Sequence, residues 1–225
     1  MPIIYLKTRS LKGISYDRYI KIKMLKNIIF DMGNVLIGFI PDEILDLKGI
    51  TDPKDRRLLK ENIYLHEGWK QMDLGVLAED DFARQVKDRL PERLHATADD
   101  LIYHWYEPLC PIKGIEKLIR DLKHQGYRIF ILSNAALSYT RYIERIPAYD
   151  CFDGIVISAE EKCVKPHSEF FRILCERYDI DPKESLFIDD MKANIEGAKA
   201  LGFDTFLFDH NVSGLKRYIE KKGGE

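Results

Sequence analysis

At 225 residues, 45% hydrophobic and 32% charged, the chain has an ordinary globular composition and is long enough for one large domain or a domain with an insert. A net charge of −2 gives no whole-molecule reason to expect binding to nucleic acid or a membrane. No apolar stretch approaches the ~18 residues that a membrane span needs.

The chain opens with an uneven charge distribution. Residues 1–26 hold Lys7, Arg9, Lys12, Arg18, Lys21, Lys23 and Lys26 against Asp17 alone. Residues 1–23 are read as a basic, solvated extension. They lack the apolar h-region of a signal peptide, and Met24 offers a second start just ahead of the first apolar run. Cys110, Cys151, Cys163 and Cys175 form no C-x-x-C pair and are expected to be reduced thiols packed as small hydrophobes. The expectation is a cytoplasmic protein, a monomer or a weak homodimer.

The first apolar run is "NIIFD" (27–31). Four more follow: "YRIFILS" (127–133), "GIVIS" (154–158), "SLFIDD" (185–190) and "DTFLFD" (204–209). Their near-continuous β-branched and aromatic character suits strands covered on both faces. Helical patterns separate the last four. "PIKGIEKLIRDLKHQG" puts Ile115, Leu118, Ile119 and Leu122 on one stripe and stops at Gly126. "KANIEGAKALG" likewise stops at Gly202. Strand alternating with helix predicts an α/β fold, a Rossmann-like parallel sheet. Between the first two strands lies an interruption with helical patterns at 54–72, 78–90 and 97–109, too long for a connection. It predicts a helical cap domain, residues 41–108, inserted after the first strand into a core of residues 24–40 and 109–225.

Open α/β sheets bind ligands beyond the carboxyl ends of their strands. Here the first strand ends in Asp31, the second in Ser133-Asn134 and the fourth in Asp189-Asp190, with Lys165-Pro166 after the third. Carboxylates suit Mg²⁺, and a lysine and a hydroxyl can hold phosphoryl oxygens. The chain has neither a G-x-x-x-x-G-K-[ST] nor a G-x-G-x-x-G loop, so a P-loop or a dinucleotide site has no support. A side chain must then supply the nucleophile. Asp31 is the candidate, attacking phosphorus to give an aspartyl-phosphate.

"FDMGNVL", "ILSNA", "VKPHSEFF" and "FIDDMKANIEGAKALG" resemble, in order, the four motifs of the haloacid dehalogenase superfamily, over about 27–40 and 109–209. The first motif is most similar to the branch that contains bacterial sugar-phosphate phosphatases. The resemblance implies a first strand flanked by the second and fourth, and a Mg²⁺ ion held by Asp31, the Gly33 carbonyl and Asp190. It implies that Asp189 and Asn194 stand behind the metal, with Asn194 orienting a bound water. Ser133 and the Asn134 N–H would bind phosphoryl oxygens, and Lys165 would do so while offsetting the charge of Asp31. "EGWKQMDLGVL" (67–77) resembles the branch's cap segment, where Trp69 would stack on a sugar and Asp73 would bind hydroxyls.

Most phosphatases of the family carry an acid two residues after the nucleophile, where this chain has Gly33. Dehalogenases lack that acid as well, but the Asp189-Asp190 pair argues against dehalogenation. The expected function is Mg²⁺-dependent hydrolysis of a small phosphorylated metabolite, a sugar phosphate first. The alternatives are a non-catalytic phosphate-ligand-binding protein on the same scaffold and, last, a mutase.

Overall fold

The computed structural model describes residues 25–223, so the basic extension at 1–23 lies outside the described residues. Five strands form one parallel sheet: β1 (Asn27–Phe30), β2 (Arg128–Ser133), β3 (Gly154–Ile157), β4 (Ser185–Asp189) and β5 (Asp204–Leu207). Their spatial order is β3-β2-β1-β4-β5. β1 lies centrally, with Phe30 opposite Ile131 on one side and Ile188 on the other. The chain runs outward from β1 through β2 to β3, then returns to the far side of β1. The carboxyl edge of β1 and β4 is therefore the topological switch point, where such sheets open a crevice.

The strands are apolar throughout because both faces are covered. Ile28, Phe30, Ile129, Ile131, Leu186 and Ile188 share a core with α6 (Ile115–His124) and α10 (Val212–Gly223). Ile29, Phe130, Leu132, Val156 and Phe187 meet α8 (Ser168–Tyr178) and α9 (Lys192–Ala200) on the opposite face. The α6 stripe is buried as its spacing requires, and Gly126 takes the left-handed conformation just past the helix end (φ +88).

Five helices stand between β1 and α6: α1 (Pro41–Leu47), α2 (Pro53–Asn62), α3 (Glu67–Asp73), α4 (Glu79–Lys87) and α5 (His95–Tyr103). Asp52 caps α2 by accepting from the Lys54 and Asp55 amides. The single helical pattern at 54–72 is two helices. The break comes at Ile63–His66, where His66 Nδ1 accepts from Gly68 N at 3.0 Å and starts α3. The pattern at 97–109 ends early, at Tyr103.

Two connections differ from the sequence reading. Between β2 and β3 there is no α-helix, only three 3-10 turns, Leu137–Arg141, Ile143–Arg145 and Tyr149–Cys151. Pro147 and the left-handed Ala148 (φ 54) interrupt any longer run. A one-turn helix, α7 (Ser158–Glu161), follows β3 directly.

Phe171 on α8 packs edge-on to Phe187 of β4 at 5.2 Å and against Phe203 at 5.9 Å, with no exposed surface. Phe171→Ala should cost about 3–5 kcal/mol, read as a lower urea midpoint at an unchanged m-value.

Candidate active site

Four segments meet at the carboxyl edge of β1 and β4. Asp31 is the first residue past β1, and its amide still ladders to Ile188 O at 2.9 Å. Asp189 ends β4, Asp190 follows it, and Lys165 arrives on the loop before α8. Lys165 Nζ lies 2.7 Å from Asp31 Oδ1 and 2.8 Å from Asp189 Oδ2. Lys165 and Asp189 are fully enclosed, and Asp31 is 8% exposed.

Asp189 is completely satisfied. It accepts from Lys165 Nζ, from the Met191 amide at 2.7 Å and from Asn194 Nδ2 at 3.1 Å on both oxygens. It acts as the fixed anchor of the cluster, and the Asn194 amide nitrogen is spent holding it rather than facing outward. Asn134 does similar work on the main chain: its Oδ1 accepts from Lys165 N at 2.8 Å and its Nδ2 donates to Lys165 O at 3.1 Å. The Asn134 side chain thus fixes the lysine that the two acids share.

The charges are mutually perturbed. Burial would lower the Lys165 pKa, but the Asp31 and Asp189 carboxylates outweigh it and hold the ammonium charged. Burial pushes Asp31 up to about 6, against the pull of Lys165 and with a further push from Asp189. Asp190 is also raised, mainly by burial.

Three carboxylates against one ammonium leave an excess of two negative charges. Carboxylate oxygens of Asp31, Asp189 and Asp190 lie within 4.8 Å of one another. Asp31 Oδ1 has the Lys165 ion contact but no bond of hydrogen-bonding geometry. Hard oxygen donors, excess charge and an incompletely satisfied oxygen together fit a small divalent cation.

Two contributors were not singled out in the sequence. Asn34, in the left-handed region (φ 53), donates from Nδ2 to Asp190 Oδ2 at 3.0 Å and accepts from the Phe39 amide at 2.8 Å. It ties the loop after β1 to the end of β4. Ser158, fully buried at the end of β3, accepts from Ala135 N at 2.9 Å and donates to Asp73 O at 2.5 Å. As the polar residue ending the "GIVIS" run it could have been found by the reasoning that singled out Ser133.

A cavity of about 70 Å³ opens beside the cluster, lined by Gly33, Ser133 and Asn134 from the sheet edge and by Trp69, Met72, Asp73 and Glu79 from the helices between β1 and β2. Residues singled out in the sequence at the sheet edge and on α3 therefore line the same cavity. Trp69 is only 8% exposed. It is packed against Tyr64, Phe39 and Trp105, with ring centroids 5.0, 5.7 and 6.0 Å away, so most of its ring surface serves packing. Burial and the neighbouring Asp31 raise the Asp73 pKa well above the ordinary carboxyl range.

The sequence profile of haloacid dehalogenase-like hydrolases matches residues 25–202. The chain belongs to this family of hydrolases. Among curated relatives it is 29% identical to a sesquiterpene phosphatase of Aspergillus oryzae, over 79% of this chain and 86% of that one. It is 28% identical to a D-ribitol-5-phosphate phosphatase of Bacteroides thetaiotaomicron, over 81% and 91%. The fold matches a Bacteroides thetaiotaomicron enzyme of the family solved with magnesium and inorganic phosphate, at TM-score 0.65 and 24% identity, over 83% of this chain and 96% of that one. It also matches a HAD-like hydrolase of Porphyromonas gingivalis, at TM-score 0.68 and 23% identity, over 87% and 98%.

Removing Lys165 would leave two buried carboxylates facing each other without a cation. Lys165→Met should therefore destabilise the metal-free protein by about 3–5 kcal/mol, measured by urea unfolding in EDTA.

Proposed function

We propose that the protein is a Mg²⁺-dependent phosphatase of small phosphorylated metabolites, with sugar phosphates the first class to test. The observation that carries this reading is the Lys165 ammonium held between Asp31 and Asp189 beside Asp190, next to a cavity that Gly33 and Ser133 line. The similarity to a sesquiterpene phosphatase and a D-ribitol-5-phosphate phosphatase supports the reaction class.

An Asp31 oxygen attacks phosphorus while the bond from phosphorus to the ester oxygen breaks, giving an aspartyl-phosphate. Water then attacks that phosphorus and releases inorganic phosphate, regenerating Asp31. Lys165 holds transferred phosphoryl oxygens and keeps Asp31 ionised; Ser133 and the Asn134 N–H hold the remaining oxygens. Asp31, the Gly33 carbonyl and Asp190 would hold Mg²⁺, which when bound offsets the charge of the phosphoryl group. Asp189, Asn194 and Asn34 keep these groups in place.

The division into a core (24–40 and 109–225) and a cap (41–108) belongs to the same proposal. Its support is the pairing of the two linkers, where Ile37 bridges Pro111 and Ile112 N donates to Leu36 O at 2.9 Å. Two segments that leave and re-enter the core side by side suit an inserted unit.

Asp31→Asn should keep the fold and lower turnover of p-nitrophenyl phosphate by at least ~10³-fold, a loss on the scale of removing a covalent nucleophile. Retention of the wild-type rate would sink the nucleophile assignment. Asp190→Ala should shift the Mg²⁺ titration of activity to at least ~10-fold higher concentration, in the range seen when metal-site residues are replaced. An unchanged titration would remove Asp190 from the metal site.

A further inference from the structure

The cleavage above needs a proton for the departing ester oxygen when the leaving group is an ordinary alcohol. The loop after β1 offers none at Gly33. Among the described residues the cavity wall holds three titratable side chains: Asp73, Glu79 and Tyr142. Glu79 is spoken for by Arg141, with Nη2 and Oε2 2.6 Å apart. Tyr142 is too weak an acid, because burial and the nearby Asp73 and Asp31 charges raise its phenol further. Lys165 is shared by two carboxylates.

We propose that Asp73, at the carboxyl end of α3, is the general acid of this site, delivering its proton to the leaving oxygen in the cavity that Gly33 also lines. This inference rests on the phosphatase reading. Its geometric basis is that Asp73 is fixed to the sheet edge at several points. The Ala136 amide faces its carboxyl group. Its own carbonyl accepts from Ser158 Oγ. Lys162 Nζ donates to the Gly75 carbonyl two residues on. Gly75 has φ +70, and a Cβ there would overlap the Ala159 carbonyl, so only glycine lets the end of α3 lie this close to the loop after β3. Asp73 is thereby held against α7, whose Ser158 also accepts from the Ala135 amide just past Ser133 and Asn134. Among the described residues it has no Lys or Arg partner to strip its proton. The groups that face it are Asp31, Glu79, Tyr142 and the Ala136 amide. Burial and Asp31 both favour its protonated form.

The balance closes over the cycle. As Asp31 bonds to phosphorus and the ester bond breaks, the Asp73 proton goes to the leaving oxygen and the alcohol departs neutral. The Asp73 carboxylate then takes a proton from the water that attacks the aspartyl-phosphate. Phosphate leaves, Asp31 is free again and Asp73 is protonated again.

The alternative is that Asp73 only latches α3 to Ala136, and Asp73→Asn separates the two roles. The isosteric amide still presents an oxygen to the Ala136 N–H, so any latch survives, but the acid is gone. Rapid-quench formation of the phospho-enzyme is to be measured with p-nitrophenyl phosphate, whose leaving group needs no proton, and with glycerol 2-phosphate, whose leaving group does. The expected result is a loss of ~10²-fold or more on the alkyl ester, a loss under about 3-fold on the aryl ester, and a steeper dependence of rate on leaving-group pKa. Equal losses on both, or no loss on either, would overturn the assignment. Circular dichroism and the urea midpoint report whether the variant folds, and Asp73→Glu, which keeps the acid, is the second variant if it does not. The Glu variant should then spare the alkyl ester more than Asp73→Ala does, and equal rates for the two would equally overturn the assignment. Activity persisting in Asp31→Asn would instead overturn the phosphatase mechanism itself, so the two failures are distinguishable.

Discussion

One buried ammonium serves two buried carboxylates, and the rest of the site depends on that sharing. An isolated ionised group in this interior would be prohibitively costly. Lys165 with Asp31 alone would leave Asp189 unpaired, and the reverse would strand Asp31. The three groups are stable only together, which requires β1 and β4 to be neighbours and the loop before α8 to return to their edge. The order β3-β2-β1-β4-β5 meets that requirement. Asn134, from the end of β2, adds a fourth segment by holding the lysine's main chain at both its amide and its carbonyl. The site is consequently a set of interlocked strand ends, and none of its members can move without exposing another's charge.

Much of this was legible because acids at the ends of apolar runs are conspicuous. Asp31 and the Asp189-Asp190 pair could be picked out where β-branched and aromatic residues give way, and the strands lie close to where those runs lie. Less visible were residues whose role depends on a partner distant in the chain. Asn34 looks like a turn residue, and it is one, with φ 53. Its bond to Asp190 spans 156 positions and leaves no local pattern. Asn194 has the spacing of a site residue, but its amide is turned to Asp189. The break between α2 and α3 has neither Gly nor Pro across residues 63–66; an imidazole capping Gly68 does that work. Trp69 carried a stacking role on paper because an aromatic side chain in a cap-like segment invites it. Four aromatic neighbours within 6.4 Å show how far packing claims the ring instead.

Two glycines mark the site's two walls, and they differ in kind. Gly33 is outside the left-handed region, and a Cβ there would meet Phe39 Cβ at 3.6 Å, an ordinary contact. Neither backbone strain nor crowding demands glycine, so the missing side chain is a chemical feature of the cavity and not a consequence of folding. Gly75 is the opposite case, required by both its φ and the Ala159 carbonyl. The position that tolerates a side chain lacks one, and the position that forbids one brings Asp73 to the sheet edge. On the proposed mechanism, chemistry absent from the β1 loop is supplied by the segment that Gly75 allows to dock. The helices between β1 and β2 then do more than cover the site. They add titratable groups to the cavity, and on the proposed mechanism the bonds of Ser158 to Asp73 and of Lys162 to Gly75 are a condition of catalysis as well as of packing.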